Sequence, residues 1–241
     1  MNVIYSPKGR AGEYGKLACN IYLRCEHNCL YCYCPQALRI TREEFTKTPV
    51  PRLNFIEHLE ADARTLKKKG IKENIFLSFI GDPYQPIDEI YQLTRRAILI
   101  LHSYGFNVTI LTKGGLRVEC DFDLYIPGDE FAATLTFLDL KKSQQWEPGA
   151  ASPADRIRIL SLAHELGIKT WVSLEPVIEP EETLEIIRQT HTFVDLYKVG
   201  TLNNHPQASK VDWPKFARDV VATLKEYGCQ YYIKKDLRRY L

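Results

Sequence analysis

Four cysteines fall within ten residues: Cys25, Cys29, Cys32 and Cys34. The first three form Cys25-Glu-His-Asn-Cys29-Leu-Tyr-Cys32, a C-x3-C-x2-C run. Thiolates are soft ligands that suit zinc and iron–sulfur centres. Three of them this close can hold three corners of a four-iron cluster, which leaves one iron open to a substrate or cofactor. Cys34, two residues on, reaches awkwardly to the same cube. Zinc is a competing reading. Structural zinc sites usually pair a C-x2-C knuckle with a second Cys or His pair. Here the only pair-like partners, His27 and Cys34, lie in the same loop. An ordinary four-cysteine electron-transfer cluster is a third reading. Cys19, Cys120 and Cys229 stand alone.

The rest of the composition is ordinary. The chain has 241 residues, 45% of them hydrophobic and 26% charged, which excludes disordered, collagenous and disulfide-scaffold classes. No run of 18 apolar residues offers a membrane span. The opening MNVIYSPKGR lacks the apolar core of a secretory signal. A cytoplasmic protein is expected, and in a reducing compartment the cysteine cluster reads as metal or redox chemistry. Net charge is +2, from 32 basic and 30 acidic residues, so the whole chain makes no argument for nucleic acid. Local patches remain. Arg64, Lys67, Lys68 and Lys69 crowd one helix end. Lys234, Lys235, Arg238 and Arg239, interleaved with Tyr231, Tyr232 and Tyr240, form a candidate patch for phosphates and stacked bases.

The elements around the cluster alternate. Lys16 to Leu23 is a β-prone run just before it. Leu53, Ile56, Leu59, Ala63 and Leu66 make one helical stripe. Asn74 to Ile80 reads as a buried strand, Ile90 to Tyr104 as a helix, Phe106 to Leu111 and Phe131 to Phe137 as strands. Ser152-Pro153-Ala154-Asp155 has the N-cap, N1 proline and N3 acid of a helix start. Ile168 to Leu174, Pro180 to Gln189 and Val194 to Val199 continue the alternation, and Asp212 caps a last helix before Cys229 to Ile233. Leu116 to Gly128 shows no helical stripe. Repeated α-β order implies a parallel sheet with outer helices. The six or seven strands are too few for a closed eight-fold barrel. The expected fold is α/β, an incomplete (β/α)6-type TIM barrel. It forms one domain over 1–241, with a short basic C-terminal extension from about 229.

The cysteine spacing, with Tyr31 before the third cysteine, resembles that of the radical S-adenosylmethionine (radical SAM) enzymes. The resemblance implies a [4Fe-4S] cluster on Cys25, Cys29 and Cys32. It also implies S-adenosylmethionine (SAM) on the open iron, Tyr31 beside adenine, and an external one-electron donor. Within that superfamily, Cys19-Asn20-Ile21-Tyr22-Leu23-Arg24-Cys25, Gly81 to Asp88, Thr112-Lys113 and Glu147-Pro148-Gly149 to Arg156 are similar to the spore photoproduct lyase-like group, often labelled "DNA repair photolyase".

The same resemblance implies roles for single residues. Ser78 and Asp82, at the end of the second strand, would meet SAM, with the carboxylate suiting the amino group. Lys113 would pair with the SAM carboxylate. Thr134, on the fourth strand, and Glu175, after the fifth, would reach the ribose. Val199, ending the sixth, would present backbone to adenine. Each also has a bland account: a Gly-Asp-Pro turn at Asp82, a surface lysine at Lys113, β-propensity at Thr134. Arg156 with Glu147 reads as a surface ion pair. His27 reads equally as a cofactor contact or a solvent-facing loop histidine. Spore photoproduct lyase returns the hydrogen atom from a cysteine near the second-strand loop. Ile75 to Asp88 holds none, so Cys34, Cys120 and Cys229 remain as cysteine candidates, with Tyr84 as a further donor candidate.

Three functions stay open on the sequence. One is a lyase-like radical SAM enzyme acting on DNA, RNA or a nucleotide. Another is a radical SAM enzyme acting on a partner protein or small metabolite. The last is a non-enzymatic iron–sulfur carrier or zinc module.

Overall fold

The computed structural model describes residues 2–241. Eight strands form one sheet in chain order: β1 (Ile4–Tyr5), β2 (Leu17–Cys19), β3 (Ile75–Leu77), β4 (Val108–Thr112), β5 (Glu130–Thr134), β6 (Lys169–Leu174), β7 (Leu196–Val199) and β8 (Tyr231–Ile233). β1 runs antiparallel to β2, and every later pair is parallel. The helices are α1 (Cys34–Leu38), α2 (Arg42–Phe45), α3 (Phe55–Lys68), α4 (Asp88–Tyr91), α5 (Leu93–Ser103), α6 (Leu140–Trp146), α7 (Pro153–Glu165), α8 (Pro180–Thr190), α9 (Trp213–Glu226) and α10 (Lys235–Arg238).

Local chemistry sets these boundaries as expected. The Ser152 hydroxyl accepts from the Asp155 amide at 3.0 Å and starts α7, and Gly167 closes it with φ at 75°. Asp212 caps α9 through the Lys215 amide at 2.9 Å. Most of the stretch without a helical stripe, Leu116 to Gly128, lies in a 3-10 helix, Gly115–Leu124.

Side chains alternate across the sheet with period two. Ile75, Leu77, Val172 and Leu174 pack outward against the helices, in a core with Leu59, Ala63, Ala97, Leu101, Ile159 and Leu160. Phe76 and Trp171 join Ala18 and Ala132 in a second cluster, on which Tyr14 and Phe79 lean. Phe76 and Phe79 stack at 4.3 Å between ring centres.

The sheet is open, as expected, but it has eight strands. β1 is two residues long, too short for any periodicity to register. Residues 229–241, expected as a basic extension, supply β8 and α10, with β8 parallel to β7. No strand pairing among the described residues joins β8 back to β1 or β2. Side chains from a 3-10 helix, Gly9–Glu13, cross this seam instead. Glu13 accepts from the Tyr232 hydroxyl and the Lys235 amide, each at 2.9 Å, and Arg10 ion-pairs with Asp236.

Candidate functional site

Parallel register brings the strand ends level. Cys19 pairs with Leu77, Leu77 with Ile110, Thr134 with Ser173, Leu174 with Val199, and Val199 with Ile233. The segments after these strands therefore emerge on one edge, where α/β folds hold their ligands. They enclose a cavity of about 570 Å³. Cys25, Cys29, Cys32 and Cys34 all line it, as do Tyr31, Ser78, Asp82, Lys113, Thr134 and Glu175. Val199 is buried in the core and does not line the cavity.

The cysteine loop has no strand or helix of its own, so its neighbours hold it. Arg42, from α2, donates to the Asn28 carbonyl at 2.7 Å and the Leu30 carbonyl at 3.3 Å. On the other side lies the segment after α6. The Leu30 amide donates to the Trp146 carbonyl at 2.7 Å, and the Gly149 amide to the His27 carbonyl at 3.0 Å. The two segments touch at Gly149, where a Cβ would collide with the Glu26 carbonyl oxygen. Glu26 is itself tied down, since its amide donates to Gln85 and its carboxylate accepts from the Ile87 amide, both at 2.9 Å.

Beneath the loop is a buried ion pair. The Tyr31 hydroxyl donates to Glu147, whose carboxylate also meets Arg156 at 2.5 Å. Glu147 and Arg156 are 1% exposed, so the expected surface ion pair is overturned. Burial works to raise the Glu147 carboxyl, but Arg156 and Lys113 hold it below the usual range. His27 is also buried, not solvent-facing, and its pKa falls to about 4 because burial opposes the charged ring.

Asp82 is held by four neighbours. It accepts from the Thr112 hydroxyl, the Lys113 amide at 2.8 Å and the Tyr84 amide at 2.9 Å, with His27 at 3.4 Å. Burial alone would raise its carboxyl; His27, these donors and Lys113 keep it below the ordinary value. The Lys113 ammonium sits 5.8 Å from the Tyr31 ring centre. Burial disfavours its charge, but Cys29, Glu147 and Asp82 outweigh that and raise its pKa.

A second polar group forms the far wall. Glu175 accepts from the Tyr14 hydroxyl at 2.7 Å and ion-pairs with Lys234. Tyr14 also bonds Ser173 at 2.9 Å, and the Lys234 ammonium lies 4.1 Å from its ring centre. Gly200 makes room, since a Cβ there would fall 2.7 Å from the Glu175 carboxylate. Sequence reading missed Tyr14 and Ser173. It placed Lys234 on a basic tail, whereas the residue is buried in the cavity wall. Lys235, Arg238 and Arg239 are exposed.

Of the hydrogen-donor candidates, Cys34 alone lines the cavity; its thiol donates to the Phe79 carbonyl at 3.4 Å. Cys120 is exposed on the 3-10 helix, and Tyr84 is buried with its hydroxyl on Asp121 at 3.0 Å. Among the described residues, no three Cys, His, Asp or Glu side chains converge as one metal ion requires.

Residues 19–194 match the Radical SAM superfamily. The chain belongs to this superfamily. The matched span carries the cysteine loop, Asp82, Lys113, Thr134 and Glu175, while Tyr14 and Lys234 lie outside it. Among solved structures, a spore photoproduct lyase variant with bound AdoMet and a dinucleoside spore photoproduct shares the fold. It has a TM-score of 0.73 at 14% identity, over 96% of this chain and 79% of that one. Streptococcus suis SuiB bound to S-adenosylmethionine gives 0.67 at 14% identity, over 88% of this chain and 48% of that one. An uncharacterized protein of Methanocaldococcus jannaschii is 25% identical over 88% of this chain and 86% of its own length. No helix among the described residues is long and apolar enough to cross a membrane.

Proposed function

We propose that this radical SAM chain holds a [4Fe-4S] cluster on Cys25, Cys29 and Cys32 and binds SAM beside it. The observation that carries this is three thiols of one C-x3-C-x2-C loop lining a single cavity with Asp82, Lys113, Thr134 and Glu175. The donor set fits a cluster, whose ligands bind different irons and need not converge on one point. Bound there with an electron from an external donor, the cluster and SAM would supply a 5′-deoxyadenosyl radical that takes a hydrogen atom from substrate.

The chain's own part is positioning. Lys113, a buried ammonium near Tyr31, suits the SAM carboxylate. Ser78 and Asp82 face the same space at the end of β3, where a carboxylate and backbone suit the SAM amino group. Thr134 and Glu175 present oxygens for the ribose hydroxyls, and Tyr31 a ring edge for adenine. Val199 supports this region from the core. The cavity is walled by Tyr14, Phe76 and Phe79, which limits water around a reactive species. Cys34 is the thiol placed to return a hydrogen atom.

The substrate we favour is a nucleic acid or nucleotide, which makes the chain lyase-like in class. Support comes from exposed Lys235, Arg238 and Arg239 beside the seam, and from the solved lyase that binds a dinucleoside photoproduct. A protein substrate is the second reading, since SuiB binds its precursor peptide. Seven free thiols suit a reducing, cytoplasmic setting.

The test is anaerobic reconstitution with iron and sulfide, then dithionite and SAM, with 5′-deoxyadenosine quantified. Wild type should release it and the Cys25/Cys29/Cys32→Ala variant should not. Faster release with oligonucleotides than with peptides supports the first substrate class, and the reverse order supports the second.

A further inference from the structure

The cysteine loop must present three thiols in a fixed arrangement, yet it has no regular structure to fix them. Its inner face rests on one short segment, 146–151. Beyond Trp146, the last residue of α6, that segment is irregular too; its Ala151 amide donates to the Lys113 carbonyl at 3.0 Å, just after β4, and one side chain ties it to the sheet itself. Arg156 donates from Nε to the Ala151 carbonyl at 2.9 Å, and from one terminal nitrogen to the Thr134 carbonyl at 2.9 Å. From the other it donates to the Ser143 hydroxyl at 3.1 Å and to Glu147 at 2.5 Å. The planar guanidinium thus ties β5, α6 and the segment together. Glu147 in turn accepts from Tyr31, inside the loop, and from Thr136 at 3.2 Å. The backbone on either side of Glu147 holds Leu30 and His27.

Such a pair does little for stability as such. Removing two charges from water costs about as much as their attraction returns, and apolar replacements of equal volume are often as stable. What a buried pair supplies is a unique geometry, because its hydrogen-bond directions leave few alternatives.

We propose that Glu147 and Arg156 are positioning residues that hold the cysteine loop in its ligand-ready shape before any iron arrives. They act through the Tyr31 hydroxyl and through the 146–149 backbone. The proposal rests on the reading that this loop carries the cluster, but its first test does not.

That test uses the full chain without metal. Alkylation rates of buried Cys29 and buried Cys19 are followed by peptide mass spectrometry in wild type and in the Glu147→Leu/Arg156→Met double variant. Cys19 lies in the main core, away from the segment, and reports global folding. Expected is a rise of at least about tenfold at Cys29 with Cys19 still protected, the mark of a local opening. Equal protection of both thiols in wild type and variant overturns the proposal. Should Cys19 also open, the variant has unfolded and Tyr31→Phe, which removes only the hydroxyl on Glu147, decides by the same two rates. In the reconstituted protein, the folded variant should lose iron to a chelator at least about tenfold faster than wild type. An unchanged rate there also contradicts the proposal. Wild type that takes up no iron would sink the cluster reading and leave the thiol rates to decide the positioning role.

Discussion

Lys234 and Glu175 form an ion pair in the cavity wall, across 59 residues of sequence. The lysine side chain is 2% exposed and the glutamate 16%. Lys234 is therefore part of the cavity and not of a free tail. Lys234→Met should leave the Glu175 carboxylate without its counter-charge. A fully buried pair broken this way costs about 3–5 kcal/mol, and the residual exposure of Glu175 brings the expected loss to about 2 kcal/mol by urea unfolding. Glu175→Gln/Lys234→Met should recover most of it.

The exposed cations should behave differently. Replacing Lys235, Arg238 and Arg239 with alanine should leave the unfolding free energy within about 1 kcal/mol of wild type. If the chain binds oligonucleotides, the same variant should weaken binding and flatten its dependence on salt. Binding with an unchanged salt slope would remove these residues from the interface.

Lys198 carries a pH signature. Its ammonium lies 4.2 Å from the Trp171 ring centre and 5.2 Å from that of Tyr14. Burial lowers its pKa to about 8; Glu130 opposes this, while Lys234 and Lys169 add to it. The unfolded chain, with an ordinary lysine pKa, binds more protons than the folded one between that value and pH 8. Stability from this site is therefore present above the unfolded pKa and lost as pH falls through the folded one. The span is about 2–3 kcal/mol at most. Lys198→Met should raise stability at pH 7 and flatten the rise between pH 8 and 10, read by urea unfolding at both.

Gly149→Ala tests the contact between loop and segment. The added methyl would collide with the Glu26 carbonyl oxygen, a backbone atom that cannot swing away as a side-chain end could. Overpacking of this kind costs about 1–3 kcal/mol. The variant should also take up less iron than wild type under identical reconstitution.

Much of this was legible in the sequence, and the gaps have physical causes. The family resemblance points to Asp82, Lys113, Thr134 and Glu175, and local periodicity places them, like the cysteine loop, at or beyond strand ends. Parallel register then brings them together. Tyr14 and Lys234 could not be found that way. They meet only because the two edges of an open sheet come close, a contact with no local pattern. Arg156 was misread although a signal existed. Arg156, Ile159, Leu160 and Ala163 share one helical face, and all four are buried. A charge on that stripe at the start of a helix marks a buried partner. Val199 ends its strand at the same level, with its side chain in the core.

The central claim is that three thiols hold a cluster whose fourth iron is open to SAM. The most direct test is the EPR spectrum of the anaerobically reconstituted, dithionite-reduced protein with and without SAM. Four irons per chain and a signal whose shape changes on adding SAM are the predicted result, absent from the Cys25/Cys29/Cys32→Ala variant. One zinc and no iron, or a cluster signal that SAM leaves unchanged, would contradict it.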